Sequence, residues 1–435
     1  MFFIRDLKSV VTSKTINHFL ITSGGTAING LLGLFFYIIV ARSLGPSVYG
    51  TLAVAIAAIT TIADIADLGI DTAVIRFVGK PAKSDTALRF IKLGLEVKLA
   101  VWFTILTLGW VLAPLIVHSI FLKPEFIEPF RLALIGVGGA LLFSLTTHAI
   151  QAYQKFWAWS LVNISMNSLR LTAILALTAF GIFNLQTTLI TYITVPFLGF
   201  FITLFLLPNF LFVKQERSVS RELLHYSKWV ALVGILTAIG SRLDTFISAR
   251  LLTTTEVGIY AAAVQLTIVV PQLVFALATV VAPKLSSLDS QQKAITYLKK
   301  LQLLVLGLST GGVILLPLMI YFIPLIYGQD YRASVTPFII LFIAQLVFLL
   351  SLPVHQAIFY YFSKPRLFTW TALGQLVITA VLGWVLISKW GILGASLTIL
   401  FSNIFNFVVP AVWVIYQFKK GDKSEQEKYL GTYLS

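Results

Sequence analysis

Residues 29–80 read NGLLGLFFYIIVARSLGPSVYGTLAVAIAAITTIADIADLGIDTAVIRFVGK: an apolar helix, a tight Gly-Pro turn and a second apolar helix that carries charge. The apolar segment that enters this stretch, roughly residues 17–41, has 25 residues. At about 1.5 Å each these are enough to cross a hydrocarbon core of about 30 Å. The second segment is not a simple anchor, because Asp64, Asp67, Asp71 and Arg76 sit toward its far end. Charge facing lipid there costs about 2.5 kcal/mol or more per residue, so these side chains need partners or an aqueous cavity.

The rest of the chain has the same character. Of 435 residues 58% are hydrophobic and 11% charged, whereas charged residues make up about a quarter of an ordinary soluble fold. The expected class is therefore an all-α polytopic membrane protein. Apolar runs separated by turn or charge signals predict twelve spans: about 17–41, 47–72, 93–120, 130–152, 157–182, 186–212, 226–251, 256–281, 300–326, 333–360, 366–388 and 391–417. The basic, amphipathic leader 1–16 reads as an interfacial helix, since the apolar run after it is too long for a signal-peptide core.

Lysine and arginine placement sets the expected orientation, because basic loops stay on the cytoplasmic side. With the amino terminus inside, 23 Lys and Arg fall in inside segments and six outside, namely Arg42, Lys123, Arg131, Arg250, Arg332 and Lys389. Lys98, Arg170 and Arg242 lie within spans. Both termini are thus expected in the cytoplasm of a multi-pass cell-membrane protein. The asymmetry also accounts for most of the net charge of +15 without nucleic acid as a partner. Cysteine is absent and the five histidines lack ligand spacing, so no disulfide, thiol nucleophile, metal or cofactor is expected. Most tryptophans fall near span ends, as interfacial indoles do, but Trp102 and Trp110 do not.

An internal repeat is visible at a shift of 208 residues. It pairs Ala41 with Ala249, Arg42 with Arg250, Leu44 with Leu252, Gly50 with Gly258, Ala53 with Ala261 and Ala55 with Ala263. Six spans per half, an even number, give two pseudo-symmetric lobes that enter the membrane in the same sense. The expected division is 17–212, a cytoplasmic linker 213–225, 226–417 and a cytoplasmic tail 418–435. Two facing lobes would enclose a central cavity. In-span prolines (Pro114, Pro196, Pro271, Pro317, Pro353, Pro410) and the Gly24-Gly25 pair offer kinks.

Two blocks make the chain recognisable. ARSLGPSVYG (Ala41–Gly50) with DLGIDTAVIRF (Asp67–Phe77) resembles the opening of the polysaccharide biosynthesis, or Wzx-type oligosaccharide flippase, family of the MATE-like (MOP) superfamily. LDTFISARLLTTTEVGIYAAAVQL (Leu243–Leu266) with ALATVVAPKLSSL (Ala276–Leu288) resembles that family's second half. The resemblance implies transport of a polyprenyl pyrophosphate-linked oligosaccharide from the inner to the outer leaflet for cell-surface polysaccharide. It also implies membrane lipids as partners, together with a glycan polymerase and glycosyltransferases of the same pathway.

Read from the residues, the candidate site is a set of deep polar groups. Arg170 lies about 20 Å into its span, and Ser160, Asn163, Asn167 and Arg170 form one helical stripe. Thr237, Ser241, Asp244 and Ser248 form another, with Arg242 beside it. Each stripe either lines a cavity or hydrogen-bonds a neighbouring helix, and cavity lining is the preferred reading. Arg42 and Arg250, at outer span ends, are either substrate contacts or interfacial anchors. Asp64, Asp67, Asp71 and Asp244 are candidate ion-coupling residues, set against a structural ion pair of the span-two aspartates with Arg76 or Lys98. A cation exporter of the MATE type and a membrane glycosyltransferase or glycan polymerase are the competing classes. The first would favour buried carboxylates over arginines. The second would ordinarily show an Asp-x-Asp motif or a large outer loop, and neither occurs.

Overall fold

The computed structural model describes residues 14–79, 84–214, 216–288, 290–364 and 366–433. The described residues form thirteen α-helices: α1 (Lys14–Ala66), α2 (Ile70–Val78), α3 (Ser84–Phe121), α4 (Ile127–Ala152), α5 (Phe156–Ala179), α6 (Leu185–Leu204), α7 (Arg217–Leu251), α8 (Thr254–Thr267), α9 (Val269–Ser286), α10 (Gln291–Leu315), α11 (Met319–Tyr327), α12 (Val335–Gln356) and α13 (Arg366–Tyr433). Among the described residues there is no strand. Ten helical stretches are long and apolar enough to cross a membrane. Two of them, Ile21–Ala66 and Arg366–Lys420, run to 46 and 55 residues, about twice the 20 or so that one crossing needs. Each is folded back at a glycine with non-helical backbone, Gly45 (φ 74°) in α1 and Gly391 (φ 56°) in α13. Among the described residues this makes twelve segments of crossing length, and the chain is a multi-pass membrane protein. The expected leader 1–16 falls mostly outside the described residues.

Local chemistry places the other breaks. The span expected over 47–72 stops at Ala66, because Leu68 (φ 52°) and Gly69 (φ 73°) turn the chain with left-handed backbone before α2 restarts at Ile70. Asp67 therefore sits in the turn and Asp71 on a new helix. Pro271 interrupts 256–281, since it cannot donate to the Thr267 carbonyl and its ring clashes there; α8 ends at Thr267. Pro317 lies in a 3-10 turn, Leu316–Leu318, between α10 and α11. Gly24 and Gly25 do not kink α1, whose interior departs from helical geometry at Gly45. Gly25 is instead where α5 seats, for a Cβ there would lie 2.5 Å from the Ser160 hydroxyl oxygen.

Packing divides the chain into two compact units, Met1–Gly258 and Ile259–Ser435. In the first, α7 packs on α1, α2 and α3. Its carboxy-terminal end is locked to α3 reciprocally. Arg250 donates to the Ser119 and Ile120 carbonyls at the end of α3, and Lys123 donates to those of Ala249 (2.7 Å) and Leu252 at the end of α7. Each cation satisfies the orphan carbonyls of the other helix and complements its dipole. At the opposite end, Arg89 pairs with Glu216, Lys92 donates to the Val213 carbonyl (2.8 Å) and Lys155 to that of Leu206 (3.0 Å). The basic residues of that face thus hold the connection into α7 in place.

The repeat has a physical counterpart at Gly50 and Gly258. A Cβ on Gly50 would lie 1.9 Å from the Thr254 carbonyl oxygen, and one on Gly258 would lie 1.9 Å from the Pro46 carbonyl oxygen. Pro46 and Thr254 are themselves paired by the same sequence shift as the two glycines, so the contact is self-complementary. The hydroxyls of Ser47 and Thr254 meet beside it at 3.0 Å.

Both misplaced tryptophans have partners. Trp102 donates from Nε1 to the Leu134 carbonyl at 3.0 Å inside the first unit. Arg131 stands over the Trp110 ring at 5.4 Å.

Candidate functional site: an arginine-bearing cavity in the amino-terminal unit

A cavity of about 300 Å³ opens among α1, α4, α5 and α6, lined by Thr60, Ser144, Thr147, Asn163, Arg170 and Tyr192 together with apolar side chains. Its cation comes from α5. Arg170 is 14 residues beyond Phe156 in a helix of 24, about 21 Å along it. That is too deep for the side chain to reach an interface easily.

Arg170 is positioned by aromatic faces rather than by an acid. Its guanidinium carbon stands 4.4 Å from the Tyr192 ring centroid and 5.7 Å from that of Phe36. One terminal nitrogen donates to the Asn167 amide oxygen at 3.2 Å, and Asn167 in turn donates to Asn29 Oδ1 at 2.6 Å. The Nε is buried with no hydrogen-bond partner. Among the described residues neither Arg170 nor Arg242 makes an ion pair. A guanidinium with spare donors, held over aromatic faces, suits a phosphate oxygen.

The stripe on α5 does two jobs. Ser160 donates to the Ile21 carbonyl (3.3 Å) and Asn167 bonds Asn29, so both fasten α5 to α1. Asn163 and Arg170 face the cavity. On α7, Asp244 is 6% exposed and Ser248 is buried; Thr237 and Ser241 donate to carbonyls one turn back. Arg242 lies within electrostatic reach of both Tyr37 and Asp64, and Tyr37 lies within that of Arg170. The two deep arginines therefore share a neighbourhood with Tyr37. Arg42 is exposed, and Arg250 is engaged with α3 as above. Phe36, Tyr37 and Tyr192, which build the floor under Arg170, were not singled out by sequence. Aromatic residues are frequent in this chain, and only the contact of Arg170 with Phe36 and Tyr192, and of Phe36 with Tyr37, marks these three.

The span-two aspartates form a separate centre. Lys98, 0% exposed, pairs with Asp67 at 2.7 Å and Asp71 at 2.6 Å, and also donates to the Leu141 carbonyl at 3.2 Å. Asp71 further accepts from the Ser144 hydroxyl and faces His148 Nδ1 at 3.5 Å. Arg76 is not their partner; it is exposed and lies over Tyr226 at 4.5 Å. Asp64, one turn before Asp67, makes no ion pair among the described residues and lies within electrostatic reach of Arg242, Asp71 and Lys98.

Comparison with solved structures places this geometry in a known fold. The lipid II flippase MurJ in an inward closed conformation superposes with a TM-score of 0.76 at 14% identity, covering 92% of this chain and 89% of that one. An inward-facing multidrug resistance MATE family transporter of the MOP superfamily gives 0.69 at 15% identity, covering 91% and 96%. A MOP superfamily transporter from Pyrococcus furiosus, described as having a binding pocket of reversed polarity, gives 0.59 at 13% identity, covering 94% and 97%. No curated protein matches the chain. At these identities the superpositions speak for the fold alone. The sequence itself matches the family described as polysaccharide biosynthesis protein over residues 16–289, more than half of its length. The chain therefore belongs to the polysaccharide biosynthesis protein family and has the MurJ- and MATE-like fold of membrane flippases and transporters.

Proposed function

We propose that this protein flips a polyprenyl pyrophosphate-linked oligosaccharide from the cytoplasmic to the outer leaflet by alternating access, with both termini in the cytoplasm. The observation that carries the reading is Arg170. It is a cation at mid-span depth in a cavity, with no acid paired to it among the described residues and with a buried Nε left unbonded. A guanidinium nitrogen buried without an acceptor is costly unless a ligand completes the group, and a pyrophosphate supplies acceptors and charge. Arg242 would add a second positive charge in the same neighbourhood. Sugars would use Asn163, Thr and Ser groups and aromatic faces. An inside-negative potential drives an anionic headgroup outward, worth about 2.3 kcal/mol per charge per 100 mV. The exporter of organic cations is the weaker reading, because the acids Asp67 and Asp71 are already engaged by Lys98.

Replacing Arg170 or Arg242 tests this in cells that make the glycan. Each charge-assisted hydrogen bond lost is worth about 1.5–3 kcal/mol, so Arg170→Ala and Arg242→Ala should each cut glycan export about tenfold or more. Lipid-linked sugar should accumulate on the cytoplasmic side at normal protein level, and Arg170→Lys should recover only part, since lysine lacks the planar fork. Unaltered export from the double variant would defeat the proposal.

A further inference from the structure

The carboxy-terminal unit holds a cavity that the mechanism above does not use. Its volume is about 290 Å³, and its walls come from α9, α12, α13 and the π-helical turn Ala357–Tyr361 that follows α12. Widened turns of this kind concentrate at functional sites. Six side chains decide its chemistry: His355, Gln356, Phe359, Phe368, Gln375 and Asn406. No Asp, Glu, Lys or Arg is among the lining residues, which sets this cavity apart from the one around Arg170.

Gln356 is the informative residue. It is 8% exposed, and its Oε1 is buried with no hydrogen-bond partner. Leaving such an acceptor unsatisfied costs about 1–3 kcal/mol, so buried polar atoms without partners are uncommon and call for a donor from elsewhere. His355 does not supply one: its Nε2 is turned to the Asn406 carbonyl at 3.0 Å and its Nδ1 to the Ser351 hydroxyl at 3.3 Å. The opposite character lies alongside. Phe359 and Phe368 are stacked with centroids 4.0 Å apart, and His355 meets Phe368 edge-on at 4.9 Å.

We propose that this cavity is a binding site for one uncharged sugar ring. Such a ring offers an apolar C–H face to the phenylalanines and hydroxyl donors to the Gln356 oxygen, and the volume is about ten times that of a liquid water molecule. An acyl chain would leave the buried amide unmatched, an anion finds no cation, and an organic cation finds aromatic faces but no carboxylate. The inference deepens the proposed function and rests on it only for the site's role in transport, as a resting place for the glycan part of the cargo.

The test uses the full chain in phosphatidylcholine nanodiscs, free of sugar-headed detergent. Saturation-transfer NMR is run with methyl β-glucopyranoside and methyl N-acetyl-β-glucosaminide as probes and tetraphenylphosphonium as the cationic comparison. Transfer to ring C–H protons of at least one glycoside is expected with the wild type. It should fall at least fivefold in Gln356→Leu and in Phe359→Leu. Phe359 is 40% exposed, so its variant remains a test even where Gln356→Leu fails to fold. No transfer to either glycoside, transfer undiminished in the variants that fold, or transfer to the phosphonium alone would overturn the assignment. Glycoside binding alongside intact glycan export in Arg170→Ala and Arg242→Ala would keep the site and remove the transport reading.

Discussion

Lys98→Met should destabilise the amino-terminal unit by about 3–5 kcal/mol, the range for removing one member of a buried ion cluster. Lys98 is fully enclosed and bridges a turn residue, Asp67, to the first turn of α2 at Asp71. Its third contact, the Leu141 carbonyl, ties both to α4. Without the ammonium, two carboxylates face each other in a low-dielectric setting, where one must take a proton or the turn must open. The loss should appear as a fall of several degrees in the melting temperature of the purified protein and as reduced accumulation in the membrane. The triple variant Lys98→Met, Asp67→Asn, Asp71→Asn should recover much of it, because replacing a whole buried ion cluster is far cheaper than breaking it. A Lys98→Met protein that melts with the wild type would show that the cluster does not hold the turn.

Side chains at Gly50 or Gly258 should also be poorly tolerated. A Cβ at either position meets a backbone carbonyl oxygen at 1.9 Å, which no rotamer change relieves. Gly50→Ala and Gly258→Ala should each cost at least the 1–3 kcal/mol typical of overpacking, and Gly50→Leu should leave no folded protein at the membrane. Because the contact is reciprocal, the double alanine variant should not be additive: once the helices have been forced apart by one methyl, the second meets less resistance. Gly33, with nothing within 4 Å of its Cβ position, is the matched control. Alanine there should be neutral or stabilising, as glycine is the poorer helix former. Equal melting temperatures for Gly33→Ala and Gly50→Ala would refute the close approach.

These two contacts also show how far sequence reading reaches. Hydropathy and length place the crossings because the bilayer imposes one length scale on every span, and the Gly-Pro turn at Gly45 is legible because glycine alone adopts its backbone freely. The turn at Asp67–Gly69 is harder. Apolar flanks continue the helical period through it, and Leu68 carries a positive φ that its residue type does not announce. The repeat identifies Gly50 and Gly258 as equivalent but cannot say that they touch, since helix pairing is a tertiary fact.

The site divides the same way. The depth of Arg170 follows from counting along a helix, and Ser160, Asn163 and Asn167 share its face by spacing. Which of them binds α1 and which lines the cavity depends on where the neighbouring helix lies. Charge alone offered Arg76 and Lys98 as partners for the aspartates; only packing selects Lys98. The carboxy-terminal cavity has no charged residue to draw attention in a sequence, and its amides and phenylalanines come together from separate helices and a widened turn.

The most direct test of the central claim is flipping by the purified protein. Proteoliposomes would carry a polyprenyl pyrophosphate-linked sugar in one leaflet, and its appearance in the other would be followed by a sugar-modifying enzyme that cannot cross the bilayer. The account predicts movement far faster than in protein-free vesicles, reduced about tenfold or more by Arg170→Ala and Arg242→Ala. Wild-type vesicles that move the lipid no faster than protein-free ones would contradict it.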